Sequence, residues 1–250
     1  MNTDLYTYAL RLGDDALVAA QRMGEWIAAA PQLEEDVALG NIGLDQLGQA
    51  RSLLAYAAEV EGAGHTEDDL AYFRDEREFT NLLICERPNG DFAVTIARLL
   101  YFAGYQHLLY DALRSSSDAT LAGVAGKAVK EVAYHFDHAT QWVLRLGDGT
   151  EESHARMQAG LDAMWPYTAE MLASDDLVRR LAAAGVAVDP STFADEWHAR
   201  VGDVVDASTC TRPEASYQHS GGRDGKHTEA MGYLLAELQH VARSHPGATW

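Results

Sequence analysis

The sequence has few of the cysteines that build small disulfide-stabilised or metal-binding domains. It has two cysteines among 250 residues, Cys85 and Cys210, and neither belongs to a C-x-x-C pair. This spacing excludes a zinc ribbon and a thioredoxin-like redox motif. The two cysteines are expected to be reduced thiols of a cytoplasmic protein, with a single disulfide as the weaker alternative.

Long apolar runs are also missing. No run approaches the roughly 20 apolar residues that cross a bilayer, so the chain is not predicted to span a membrane. The N-terminus carries charges early and has no apolar core segment, which predicts that it is not a signal peptide.

Basic residues are scarce relative to acidic ones. Lysine and arginine number 19 against 38 aspartates and glutamates, which gives a formal net charge of −19. Such a surface repels phosphate backbones and anionic lipids, so the composition argues against nucleic-acid and membrane partners.

Proline is rare, with 6 residues, and alternation of β-branched residues is scarce, so helix signals dominate. Apolar residues make up 47% of the chain, as in an ordinary globular protein with a substantial core. Four long helices are predicted, over residues 4–29, 33–61, 92–114 and 119–146. Shorter helices are predicted over residues 67–79, 150–172, 175–184, 191–207 and 228–244.

Four helices of this length predict an all-α bundle. The connection between the second and third long helices holds an extra short helix, and a crossover there favours a ferritin-like bundle over a simple up-and-down one. We therefore expect one domain over residues 1–250, with a core bundle at about 4–147 and a C-terminal helical extension at about 150–250.

A ferritin-like dimetal site takes one carboxylate from each of two helices and a Glu-x-x-His motif from each of the other two. Asp15 lies on the first predicted helix and Asp45 on the second, with Gly48 where a histidine would be needed. Glu131 lies on the fourth helix, with Tyr134 in the other histidine position. Glycine cannot coordinate a metal, so these five positions predict a vestigial site without metal or cofactor.

The third long helix adds no carboxylate to this set; its candidate positions are Phe102, Tyr105 and Gln106. The three carboxylates are instead expected to be neutralised in a polar network, because buried charges must be paired. The candidate partners carry positive charge or an imidazole and are Arg11, Arg98, Lys127, Lys130 and His135. The alternative is a bundle oxidase that uses Glu131, His135 and His138 with a metal, His135 and His138 forming an i, i+3 pair.

The segment G-G-R-D-G-K-H-T-E, residues 221–229, places two cationic side chains just before a predicted helix. Arg223 and Lys226 could contact an anion such as a phosphate of coenzyme A at the helix start. The spacing is not that of a P-loop, and a flexible loop with Thr228 as the helix cap is the simpler interpretation.

Several longer runs resemble one known family. They are LRLGDDALV (10–18), APQLEEDVALGNIGLDQLGQAR (30–51), DEREFTNLLICERPNGDFAVTIAR (75–98), KEVAYH (130–135), RLGDGTEES (145–153) and GGRDGKHTE (221–229). This family is the C subunit of the bacterial ring-1,2-phenylacetyl-CoA epoxidase, also called phenylacetyl-CoA monooxygenase. The resemblance extends over essentially the whole chain.

The resemblance implies a ferritin-like subunit that has lost its iron ligands and that pairs with the catalytic A subunit. In that family the A subunit holds the di-iron site and the coenzyme A substrate, and a reductase subunit delivers electrons from NADPH. The complex epoxidises the ring of phenylacetyl-CoA with O2 in aerobic phenylacetate degradation. The sequence therefore predicts a structural subunit, with a stand-alone oxidase and a coenzyme A-binding module as alternatives.

Overall fold

The structure, a computed structural model, describes residues 2–248, and within them all regular structure is helical. The all-α class predicted from the composition is therefore confirmed. No helix in this part of the chain is both long enough and apolar enough to cross a membrane. The chain divides into two compact units. The first comprises the residues up to Pro88 and those from Gly221 onward, and the second runs from Asn89 to Ser220.

The first unit is built on a hairpin of two long helices. The α-helices among its described residues are α1 (Asn2–Gly24), α2 (Leu33–Glu61), α3 (Glu67–Tyr72), α4 (Leu83–Glu86) and α10 (Glu229–Ser244). Helices α1 and α2 approach closely at Gly13, where an added Cβ would lie 2.7 Å from a methyl carbon of Leu54. The short 3-10 helices Glu76–Glu78 and Gly222–Asp224 also belong to this unit.

The second unit surrounds a central aromatic helix. Its helices are α5 (Phe92–Leu113), α6 (Ala119–Gly147), α7 (Glu151–Met164), α8 (Asp176–Ala183) and α9 (Ala194–Ala207). Helix α5 is buried around nearly its whole circumference, and the hydroxyl of its Tyr101 donates to the carbonyl of Leu161 over 3.3 Å. The indole N–H of Trp197 donates to the carbonyl of Tyr101, which ties α9 to the same helix.

Two predicted helix ends are wrong for local reasons. Helix α1 stops at Gly24, five residues before the predicted end, and the chain turns there with Ala28 at a φ of 65°. The carboxylate of Asp36 accepts the N–H of Ala28 over 2.6 Å and holds this turn. The helix predicted over residues 150–172 ends at Met164, because Pro166 lacks the N–H that a continuing α-helix needs.

Two short helices also differ from the prediction. The one-turn helix Leu83–Glu86 was not predicted, and the helix predicted over residues 67–79 ends at Tyr72. The described C-terminal residues from position 150 onward belong partly to the second unit and partly to the first. The division into a bundle core and a C-terminal extension stays a prediction. Both cysteines are buried, and among the described residues no disulfide joins them.

Candidate functional site

The residues of the predicted vestigial metal site differ widely in their environment. Asp15 is buried on α1, whereas Asp45 and Gly48 are only half-buried on α2. On α6, His135 is fully buried but Tyr134 is 52% exposed, so the phenol in the second histidine position reaches the surface. Adjacent residues of α6 thus differ, since His135 lies in the interior and Tyr134 lies at the surface.

Glu131 lies one helical turn after Lys127, and their charged atoms are 3.4 Å apart. Lys127 was one of the expected partners of Glu131, but its side chain is 76% exposed, so the pair lies at the surface of α6 and the predicted buried network stays a prediction. Within residues 2–248 no group of three or more histidines, cysteines, aspartates or glutamates is placed to hold a metal ion. Because Gly48 and Tyr134 also supply no imidazole, the donor set does not fit the dimetal centre of a ferritin-like bundle.

The first unit contains a set of three buried carboxylates, those of Asp14, Asp15 and Glu86. We refer to these three groups as the carboxylate triad. The consecutive residues Thr80, Asn81 and Leu82 each donate to a different member. The N–H of Thr80 donates to Asp14 over 2.9 Å, the amide of Asn81 donates to Glu86 over 3.0 Å, and the N–H of Leu82 donates to Asp15 over 2.7 Å.

Each member of the carboxylate triad also has a cationic partner. The guanidinium of Arg74 binds Asp14 through both terminal nitrogens. Arg223 donates to the two oxygens of Asp15 over 3.0 and 2.7 Å. The Nδ1 atom of His227 lies 2.7 Å from a carboxylate oxygen of Glu86. The charges are thus neutralised pair by pair, as buried ions require.

The segment 221–229 provides two of these three partners. Its 3-10 turn packs so closely on the chain before α4 that a Cβ at Gly222 would lie 2.1 Å from the carbonyl oxygen of Asn81. Gly225 has a φ of 69°, and a Cβ there would lie 2.2 Å from the carbonyl oxygen of Arg77. Glycine is required at both positions, the second also for its backbone conformation.

This geometry changes the interpretation of the predicted anion site. Arg223 is engaged by Asp15, and only Lys226 is largely exposed, with its ammonium 3.7 Å from a carboxylate oxygen of Asp224. The hydroxyl of Thr228 does not cap α10; Glu86 accepts the N–H of Thr228 instead. Of the two cations, Arg223 is thus held by a carboxylate, and a contact of Lys226 with coenzyme A stays a prediction.

The protonation of His227 follows from its two neighbours. Its Nε2 atom lies 2.9 Å from the carbonyl oxygen of Phe79, which can only accept, and its Nδ1 atom faces a carboxylate oxygen that already accepts the Asn81 amide. Both ring nitrogens therefore donate, and the imidazole is charged. Burial lowers the pKa of His227, but the hydrogen bond and charge of Glu86 outweigh this and raise the pKa above its ordinary value of 6.5.

Burial has a direct effect on the pKa of Asp15. Burial raises the pKa of its carboxyl to about 6, against the opposing charge and hydrogen bonds of Arg223. Like the carboxylates of Asp14 and Glu86, this group is enclosed rather than open to a ligand. The carboxylate triad can hold segments together, but it offers no exposed acid or base to a substrate.

Sequence reasoning named Asp15 and Arg223 but did not pair them, and it missed Asp14, Arg74, Glu86 and His227. One signal was available for Asp14 and Asp15, because they are adjacent carboxylates inside the apolar run 10–18. No comparable pattern points to Glu86 or His227, which are 141 residues apart in the sequence.

Comparison with known proteins identifies the family. A family profile described as "Phenylacetic acid catabolic protein" matches residues 1–250. The chain belongs to the phenylacetic acid catabolic protein family. It is 46% identical over 246 residues to the C subunit of the 1,2-phenylacetyl-CoA epoxidase of Escherichia coli (strain K12), across 98% of this chain and 99% of that protein.

Membership in the phenylacetic acid catabolic protein family establishes the ferritin-like fold class predicted from the helix pattern. The resemblance drawn from the six sequence runs is confirmed as well. Four of those runs lie partly or wholly in the first unit: 10–18, 30–51, 75–98 and 221–229. Three of the four, 10–18, 75–98 and 221–229, contain the carboxylate triad and two of its cationic partners.

The residues at the predicted dimetal site predict the metal content of the purified chain. We expect no stoichiometric iron, manganese or zinc in the chain purified after expression in metal-supplemented medium, because Gly48 and Tyr134 stand in both histidine positions. Elemental analysis of the purified protein measures this directly. A content of about two irons per chain, as in a working dimetal bundle, would contradict the vestigial-site interpretation.

The pairing of Arg223 with Asp15 predicts a large loss of stability in Arg223→Ala. We expect the free energy of unfolding in urea to fall by about 2–4 kcal/mol, because a buried carboxylate loses its counter-ion. Lys226→Ala, three residues away and exposed, is the matched control and is expected to change it by less than about 0.5 kcal/mol. Equal effects of the two substitutions would show that the Arg223 ion pair contributes little.

The raised pKa of His227 predicts how stability depends on pH. The folded protein holds this proton more tightly than the unfolded chain, so the stabilisation is complete below pH 6.5 and is lost as the pH rises through the raised pKa. Asp15 acts with the same sign at lower pH, between 3.8 and about 6.

Urea unfolding at several pH values tests this expectation. The wild-type chain should lose stability above pH 6.5, and His227→Gln should remove that part of the dependence. His65→Gln is the control, since His65 is half-exposed and its pairing with Glu61 is screened by solvent. An unchanged slope in His227→Gln would contradict a charged His227.

Proposed function

We propose that this chain is the C subunit of a phenylacetyl-CoA epoxidase complex and that it binds and stabilises the iron-bearing catalytic subunit without performing the chemistry itself. The observation that carries the proposal is the 46% identity to the E. coli protein across nearly the full length of both chains. An identity at this level over 98% of the chain supports a shared place in the same kind of complex.

The non-catalytic role is supported by the donor set. A dimetal oxygenase site needs imidazoles beside its carboxylates, and the two positions that should carry them hold Gly48 and Tyr134. Tyr134 is more than half exposed, and Asp15 is committed to Arg223. These residues serve the fold or the surface, so the retained function of the chain is assigned to its interactions with other subunits.

The proposed partner is the iron-bearing A subunit, and the reductase and other subunits act on this chain only indirectly. No cofactor of its own is proposed. The net charge of −19 argues against nucleic acid and anionic membranes as alternative partners. Because phenylacetyl-CoA is an intracellular thioester, the proposed place of action is the cytoplasm.

Reconstitution tests this function. Co-expressed with the iron-bearing subunit, the chain is expected to elute with it in gel filtration and to stay bound on dilution to about micromolar concentration, as a stable subunit interface does. Binding should also raise the apparent melting temperature of the chain, because a ligand of the folded state stabilises it by mass action. Epoxidation of phenylacetyl-CoA should require the iron-bearing subunit and should not occur with this chain and the reductase alone.

Two outcomes would overturn the proposal in different directions. Turnover by this chain and the reductase alone would establish a stand-alone oxidase, for which Glu131, His135 and His138 are the candidate ligands. Separate elution, together with calorimetric binding of coenzyme A that Lys226→Ala abolishes, would establish a coenzyme A-binding module.

A further inference from the structure

Helix α2 carries apolar residues on two opposite faces, and only one of them is buried. Leu39, Ile42 and Leu53 have no solvent exposure and face the interior. On the opposite side, four large aliphatic residues are exposed: Leu33 by 76%, Val37 by 57%, Leu44 by 65% and Leu47 by 43%. We call these four residues the α2 stripe.

The α2 stripe is continuous along one side of the helix. Its members are separated by four, seven and three residues, which are the spacings that place side chains on one face of an α-helix. Fourteen residues at 1.5 Å per residue give a length of about 21 Å, or nearly four turns. Gly40 lies between Val37 and Leu44, and a Cβ there would meet nothing within 4 Å, so the backbone is open to a close neighbour.

Single exposed aliphatic residues are ordinary, but a row of four is not. Large contiguous apolar surfaces on a folded protein mark places where another molecule binds. The exposed apolar residue Ile27 lies in the turn before α2, and the bond from the N–H of Ala28 to Asp36 holds that turn against the first part of the helix. This bond keeps the turn close to the start of the α2 stripe.

The charges around the α2 stripe select the kind of partner. Glu34 is exposed and Asp36 half-exposed beside its first turns, and the whole chain carries a net charge of −19. Two copies of this chain would bring acidic rims together, which disfavours a symmetric dimer through this face. A partner that covers it needs an apolar helix face bordered by lysine or arginine.

We propose, on the basis of the function proposed above, that the α2 stripe is the surface on which the iron-bearing subunit docks. The docking element is a helix of about four turns whose apolar face covers Leu33, Val37, Leu44 and Leu47 and whose basic rim pairs with Glu34. Helix-on-helix contact of this kind buries an apolar centre inside a polar border, as specific interfaces do.

The test compares charged substitutions at two exposed valines of similar accessibility, 57% for Val37 and 52% for Val241. Val37→Lys lies in the α2 stripe, whereas Val241→Lys lies on α10, where Val241 is 52% exposed. The dissociation constant for the iron-bearing subunit, measured by calorimetry with full-length chains, should rise at least tenfold in Val37→Lys and in Leu44→Lys, and by less than about twofold in Val241→Lys. Leu44→Ala should give an intermediate loss.

The melting temperature of each isolated variant should match that of the wild type, because the substituted residues are exposed. Weaker binding by such a variant then results from the changed surface and not from a loss of folding stability. The rim is tested separately with Glu34→Gln. This substitution should slow association at low salt, and the difference from the wild type should disappear at high salt.

Each contrary result has a distinct meaning. Wild-type affinity in Val37→Lys and Leu44→Lys, with normal binding by the wild-type chain, would overturn the docking surface and leave the proposed function standing. Failure of the wild-type chain to bind the iron-bearing subunit would overturn both. A wild-type dimer that these substitutions convert to monomer would assign the α2 stripe to a second copy. An unchanged association rate in Glu34→Gln would remove the basic rim from the proposal.

Discussion

Neutralisation of three buried carboxylates is the constraint on which the first unit depends. Burying Asp14, Asp15 and Glu86 carries a desolvation cost that only close counter-charges and hydrogen bonds offset. The counter-charges come from separate parts of the chain, through Arg74, Arg223 and His227, while the three consecutive residues 80–82 donate to all three carboxylates. Local helix propensity cannot bring these groups together, so the network depends on the tertiary fold. It also explains why the segment 221–229 is rich in glycine, since only a close backbone approach brings Arg223 and His227 to their partners.

Two carboxylates of the predicted vestigial site have ion-pair partners in the structure. Asp15 on α1 binds Arg223, and Glu131 on α6 lies beside Lys127. Ion pairs of this kind serve the fold, whereas the subunit contact proposed above rests on the exposed apolar residues of α2.

The sequence predicted the parts of the fold that are governed by local physics. The limits of α2 were correct at both ends, because Gly62 adopts a left-handed conformation at its C-terminus and Gln32 precedes it in an extended one. The end of α1 was wrong because the turn after Gly24 is held by a side chain from α2, which local pattern does not reveal. The pairing of Arg223 with Asp15 spans 208 residues and could not be predicted from spacing. The α2 stripe was hidden for a different reason, since an apolar residue in the sequence does not disclose whether it is covered.

The order in which the two units occur along the chain has a consequence for synthesis. The second unit is one continuous segment, whereas the first is completed only by residues from Gly221 onward. At a translation rate of roughly 5–20 residues per second, Asp15 is made about 10–40 s before Arg223. During that interval the ribosome-bound chain holds carboxylates whose partners do not yet exist, and they stay hydrated. The first unit therefore closes last although its first helix is made first, and the nascent helices α1 and α2 must remain soluble until the C-terminal segment arrives.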